Sequence, residues 1–214
     1  NKINKIYYDA VWNIIKIVDA KAWVINYNYD SLNRLSQIID KLWNKIINSY
    51  NKNDKLVSRV ITWTNWKTIT TIYVYDFDNR LISETNNLNQ TISYTYNNLN
   101  QVVSKTDKDW WVTKYKYDYI WNLLEETILK SNGIVTTKYE YDINGNRTKV
   151  IDANNNETKY EYDNLNRLIK QTYPDLTTII NQYDISWNLI KRIDPNWTVM
   201  INIFDELNRL TWRT

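Results

Sequence analysis

The residues best able to do chemistry in this chain are carboxylates and phenols. Asp follows Tyr at Tyr8-Asp9, Tyr29-Asp30, Tyr75-Asp76, Tyr117-Asp118, Tyr141-Asp142, Tyr162-Asp163 and Tyr183-Asp184. Two carboxylates in a shared cleft could act as general acid and base on a glycoside. Oxygens at alternate positions, as in "DINGN" from Asp142 and "DANNNE" from Asp152, could offer ligands to calcium, although the EF-hand spacing is absent. A third use of the same residues is structural. A carboxylate opening a turn accepts backbone N–H groups two or three residues on, and these aspartates recur at one register, as turn formers do. With no His and no Cys, Ser-His-Asp and Cys-His catalysis and zinc sites built on those ligands are excluded from this segment. No glycine-rich phosphate loop or dinucleotide fingerprint occurs. The reading is of a non-enzymatic chain with no catalytic, cofactor-binding or metal residues.

The phenols follow a second rule. Tyr73, Tyr94, Tyr115, Tyr139 and Tyr160 each stand two residues before the Tyr of the next pair. On a strand, residues two apart share a face, so the rings form a ladder. Such a ladder either rigidifies a thin sheet by cross-strand packing or forms a strip for sugars.

What must position these groups is a repeat. Tyr50-Asn51, Tyr96-Asn97 and Phe204-Asp205 fill the gaps between the Tyr-Asp pairs. Starts then recur every 21 residues, stretched to 25 before Tyr75 and to 24 before Tyr141. One array of about ten units spans residues 1–214, with insertions near 51–74 and 128–138. Within a unit a turn such as "YDNLNR" leads to a short strand, a second turn opening with Asp, and a returning strand. In "ETKYEYD", Thr158, Tyr160 and Tyr162 point one way and Glu157, Lys159 and Glu161 the other, which is the two-residue period of a β-strand. Asn33 and Asn166, third after an Asp, tolerate the left-handed conformation that a tight turn needs. The fold class is all-β: a repetitive β-hairpin array of roughly 20 strands. At about 4.8 Å per strand it makes one long, curling antiparallel sheet.

Composition adds a puzzle. The 214 residues carry 27 basic and 24 acidic side chains without long runs, so nothing marks a nucleic-acid partner. No apolar run approaches the ~20 residues of a membrane span. The chain begins at Asn1 and is expected to be a segment of a longer protein. Gly occurs 2 times and Trp 11 times. Trp187 and Trp197 sit in "DISWN" and "DPNWT", where a turn calls for Gly or Asn.

These residues resemble the YD repeats of the Rhs family, which includes Rhs and polymorphic toxins, shell subunits of insecticidal toxin complexes, and teneurins. The family repeat reads roughly Tyr-Asp-x-x-Gly-Arg/Asn-Leu, then Asp-x-x-Gly-x-x-Thr-x-Tyr-x-Tyr-Asp. "DANNNETKYEYDNLNRL" at 152–168 is similar nearly throughout, with Asn at both Gly places, and "YDINGNRT" keeps its glycine at Gly145. The resemblance covers essentially the whole chain. It implies a wall segment of a large secreted or cell-surface protein whose shell encloses a C-terminal toxin or effector domain of the same chain. The implied partners are that cargo and the flanking repeats. A carbohydrate-binding or adhesion module, choline-binding-like or teneurin-like, is the alternative, with cell-surface glycans as partners.

On the family template Trp12, Trp121 and Trp187 fall on the first Gly, and Trp43, Trp110 and Trp197 on the second. Trp66 fits in the lengthened third unit, and Trp111 extends the match to a second adjacent Gly, whereas Trp23, Trp63 and Trp212 fit less well. One reading is UGA codons written as Trp that their organism decodes as Gly. The other is genuine tryptophans lying across neighbouring hairpins.

Overall fold

A computed structural model describes residues 5–214, and among them the chain forms 20 strands and no helix. It divides into two compact units, Asn1–Trp111 and Val112–Thr214. The first contains β1 (Lys5–Tyr8), β2 (Ile14–Val18), β3 (Val24–Tyr29), β4 (Leu35–Ile39), β5 (Lys45–Tyr50), β6 (Leu56–Thr62), β7 (Thr68–Tyr75), β8 (Leu81–Asn86), β9 (Thr91–Tyr96) and β10 (Val102–Thr106). The second contains β11 (Val112–Tyr117), β12 (Leu123–Lys130), β13 (Gly133–Tyr141), β14 (Arg147–Ile151), β15 (Glu157–Tyr162), β16 (Leu168–Thr172), β17 (Thr178–Tyr183), β18 (Leu189–Ile193), β19 (Val199–Phe204) and β20 (Leu210–Arg213). Within each unit every strand pairs antiparallel with the next in sequence, a plain meander. The hairpin array is all-β, as the two-residue alternation predicts.

The two long repeats take up their extra residues as strand. β6 and β7 run 7 and 8 residues, and β12 and β13 run 8 and 9. β12 and β13 are joined by Ser131 and Asn132 alone, so this repeat lacks the longer second turn of the others, which opens with Asp19, Asp40, Asp107, Asp152 or Asp194 and elsewhere with Trp63, Asn86 or Tyr173.

Each unit is a single layer, and neither face is covered by a second sheet or a helix. Ile179, 8% exposed, is the one buried hydrophobic residue among the described residues. An antiparallel sheet ordinarily buries one face on a core. Here side-chain pairs within the layer must take that part. The tyrosines select the better covered face. Tyr115, Tyr117, Tyr139 and Tyr141 are half-buried, while Lys114, Lys116, Lys138 and Glu140 on the opposite face are exposed.

A β-bulge punctuates every repeat at the same place. Tyr141 pairs with Arg147 and Glu140 with Lys149, so Thr148 is the extra residue. The same shift falls at Tyr29, Tyr75, Tyr117, Tyr162 and Tyr183. The bulge twists the strand away from its next neighbour. The ladders β14–β15, β16–β17 and β18–β19 consequently hold only three pairs each.

Candidate functional site

The Tyr-Asp turns are built alike. In the turn at Asp142 the carboxylate Oδ1 accepts the N–H of Asn144 and of Asn146, each at 2.9 Å, and Oδ2 accepts the Asn146 amide at 2.9 Å. The Asp142 N–H donates to the Asn146 carbonyl at 2.9 Å, and the Gly145 N–H to the Asp142 carbonyl at 3.1 Å. Asp9, Asp30, Asp76, Asp118, Asp163 and Asp184 repeat this pattern. The carboxylate therefore reaches residues two and four on, rather than two or three.

The residue four on carries a readable rule. Asp is matched with a donor at the fifth turn position: Asn13, Asn122, Asn146 and Asn188, or Arg34, Arg80 and Arg167. In the turns opened by Asn86 and Asn97 the fifth residue is Gln90 or Gln101, whose carbonyl oxygen accepts the Asn amide at 2.8 and 2.7 Å, whereas the turn opened by Asn51 has Lys55 there. A carboxylate only accepts and an amide can donate, so the partner changes with it.

These bonds fix the aspartates electrostatically. The Asn146 amide, with backbone N–H groups from Asn146 and Asn144, holds Asp142 below the usual aspartate range against the opposing effect of burial. At Asp30 the Arg34 N–H is the largest cause and the Arg34 guanidinium adds to it. Donors surround each carboxylate oxygen, an environment opposite to that of a calcium ligand. No group of three or more His, Cys, Asp or Glu able to hold a metal occurs among the described residues.

The fourth turn residue is left-handed. Trp12, Trp43, Trp66, Trp110, Trp121, Trp187 and Trp197 have φ between 62 and 78°. In other first turns the place is filled by Asn33, Asp54, Asn79, Asn100, Asn166 or Asn208 and by Gly145 at φ 82°, and in second turns by Ala22, Asn89, Asn155 or Leu176. Trp23 and Trp111 follow such a residue, Trp63 opens a turn, and Trp212 lies on β20. The left-handed rings project outward, Trp66 being 88% exposed.

Tyr closes the gap that the bulge opens. Tyr141 donates its hydroxyl to the Leu123 carbonyl at 3.0 Å, Tyr183 to Leu168 at 3.1 Å, Tyr50 to Leu35 at 2.9 Å and Tyr75 to Leu56 at 2.9 Å. Each acceptor is the first residue of the preceding strand, beyond the end of its ladder. Where Asn replaces the outer Tyr, it adds to or replaces this bond. The Asn48 and Asn181 amides donate to the same carbonyls, Leu35 and Leu168, at 3.0 Å. The Asn202 amide serves Leu189 at 2.7 Å, where the neighbour is Phe204 and has no hydroxyl. Cations separate the rings: Arg147 lies 5.8 Å from the Tyr139 ring and 5.5 Å from that of Tyr160.

Arginine links one turn to the next. The Arg167 guanidinium holds Asp163 at 2.7 Å, donates to the Asp184 carbonyl at 2.6 Å and lies 5.0 Å over the Tyr183 ring. Arg34 likewise bonds the Asn51 carbonyl at 3.0 Å and the Asp54 carboxylate at 2.6 Å, lying 4.9 Å over Tyr50. Every repeat-defining residue is thus committed to its own or the adjacent repeat. The arrangement joins units sideways.

A family model described as "Teneurin YD-shell" matches residues 1–183. Among solved structures, the chain is similar to TcdB2-TccC3 at 14% identity and a TM-score of 0.59, covering 97% of this chain and 14% of that one. A structure of TcdB2-TccC3 without its hypervariable C-terminal region gives the same identity, TM-score and coverage. The Photorhabdus luminescens Tc holotoxin pore matches at 14% identity and a TM-score of 0.59, with 97% and 13% covered. The chain therefore spans about one-seventh of these proteins. No curated protein sequence matches it. No helix among the described residues is long and apolar enough to cross a membrane.

Proposed function

Because this chain belongs to the teneurin YD-shell family, a family of structural shell repeats, we propose that it is a non-catalytic stretch of wall in a longer secreted or cell-surface protein. In this reading residues 1–214 are one continuous array whose wall encloses a C-terminal toxin or effector region of the same protein. The mechanism is exclusion: a sheet without gaps denies proteases and solvent access to what lies behind it.

One observation carries the reading. Each repeat spends its distinctive side chains on the repeat beside it, through the bulge-closing tyrosines and the turn-bridging arginines. Such a unit gains stability only by lateral addition, and its bare edges invite more strands. The similarity to TcdB2-TccC3, one structure of which is described as lacking a hypervariable C-terminal region, supports a cargo at the C-terminal side. Limited proteolysis of the whole protein tests the reading. The C-terminal region stays intact while the wall is closed and is cleaved once a repeat pair such as 141–183 is deleted. Equal cleavage in both proteins contradicts it. The glycan alternative predicts instead a Tyr-dependent signal on a glycan array.

The left-handed tryptophans belong to the same proposal. A side chain with a Cβ in this conformation costs roughly 1–2 kcal/mol per residue, and the cost recurs at seven corners. We read these positions as glycine in the native polypeptide, encoded by UGA. The left-handed φ at all seven supports this, and Trp23, Trp63, Trp111 and Trp212 lie outside that geometry. Peptide masses of the protein from its source decide: glycine masses at 12, 43, 66, 110, 121, 187 and 197 support the reading, and tryptophan masses end it.

A further inference from the structure

We infer that Glu126 and Glu84, on the tyrosine face, form binding sites for an organic ammonium group. The inference starts from a register position. Eight residues after the turn Asp, the chain places one side chain directly across from the outer Tyr or its substitute. The pairs are Tyr73 with Glu84, Tyr115 with Glu126, Tyr139 with Val150, and Tyr160 with Gln171. Opposite Asn48, Asn181 and Asn202 the position holds an arginine, Arg59, Arg192 and Arg213, so there the facing residue selects it. Opposite a tyrosine it holds Glu84, Lys105, Glu126, Val150 or Gln171, so the tyrosine frame does not dictate the residue and leaves its identity free to serve recognition.

The chain provides for its own cations at this position but not for its carboxylates. Arg59 stands there opposite Asn48, whose amide oxygen accepts the Arg59 Nε–H at 3.2 Å. Lys105 stands opposite Tyr94, 5.9 Å over its ring. Glu84 and Glu126 form no ion pair among the described residues. Glu126 is half-buried, opposite Tyr115 on β11 and Thr137 on β13, with Tyr117 and Tyr139 next along those strands. Burial first, and then the charge of Glu126, raise the hydroxyl pKa values of Tyr115, Tyr117 and Tyr139, so one carboxylate acts on all three phenols.

A carboxylate flanked by aromatic rings is complementary to a cation with an apolar body. The ring faces and the carboxylate attract the charge together, and the rings cover the methylene or methyl groups. Two sources offer that chemistry: the primary ammonium of a lysine side chain and the quaternary ammonium of choline. The site stands whether or not the wall encloses a cargo.

The test is an NMR titration of the chain, labelled at its tyrosine rings, with N-acetyl-lysine amide and separately with choline. The neutral choline-like alcohol 3,3-dimethylbutanol is the control. Saturable shifts at Tyr73, Tyr115 and Tyr139 with at least one cation, weakened about fivefold or more in Glu84→Gln/Glu126→Gln, support the site. Tighter lysine amide points to a polypeptide source, and tighter choline to a choline-bearing surface. Gln already occupies this register at Gln171, so the double variant should keep its fold, which unchanged Tyr183 shifts verify. Absence of saturable shifts, equal binding by the double variant, or equal binding of the neutral alcohol overturns the inference.

Discussion

Tyr141 reaches back across a strand boundary to the carbonyl of Leu123, its hydroxyl 3.0 Å from that oxygen. The β12–β13 ladder stops at Glu125 and Lys138, short of Leu123, and the phenol bonds the carbonyl beyond its end. A rigid phenol does in one residue what a further ladder pair would do, while letting the strand diverge.

Tyr141→Phe should therefore cost about 1 kcal/mol, the usual net worth of a neutral hydrogen bond. Tyr183→Phe should cost about half as much, because the Asn181 amide also serves the Leu168 carbonyl. Hydrogen exchange across β12–β14 and β16–β18 measures both, since repeat arrays open locally. Equal effects at the two sites would contradict the shared-acceptor account.

Trp197 is 80% exposed at φ 66° and makes its turn against its conformational preference. Trp197→Gly should stabilise its hairpin by about 1 kcal/mol, the relief of left-handed strain less the entropy of glycine. Trp212→Gly, on strand β20, should destabilise. Thermal melts of the two variants should move in opposite directions.

Asp163 is matched to Arg167 by donor and acceptor type. Asp163→Asn turns an amide donor toward a guanidinium that has no acceptor, and exchange of the turn amides should speed up on the order of tenfold. Adding Arg167→Gln recreates the Asn97–Gln101 pairing and should recover part of that loss. It should not recover all, because the bond to the Asp184 carbonyl goes with the arginine.

Acid and alkali should loosen the array for opposite reasons. Asp142, Asp152 and Asp184 have folded pKa values below the ordinary one, each because of its asparagine amide first and backbone N–H groups with it. Their stabilisation is complete above about pH 4 and is lost as pH falls through the folded values. Tyr75, Tyr141 and Tyr162 have raised values, from burial first. Their contribution is present below about pH 10 and is lost as pH rises through the folded values. Circular dichroism against pH should show a plateau with a fall at each end. A flat acid limb would contradict the role given to the aspartates.

Strand number, turn position and the shared face of the tyrosines were legible because each follows from a period in the sequence: 21 residues for the repeat, two for the strand. The left-handed corners were legible too, from Asn33 and Asn166 and from the family template. The bulge and the Tyr141–Leu123 bond were not, because both depend on where a ladder stops, which no local pattern encodes. The fifth turn residue could have been found: Asn or Arg after Asp, and Gln after Asn86 and Asn97, is a matched set visible by laying repeats beside one another. The position of Glu84 and Glu126 is hidden in the opposite way, since its residue varies from repeat to repeat.

Electron cryomicroscopy of the whole protein bears most directly on the wall. The account predicts a closed hollow body with these hairpins zipped edge to edge in its side and separate density for another part of the chain inside. An open ribbon, both faces in solvent and nothing enclosed, would contradict it.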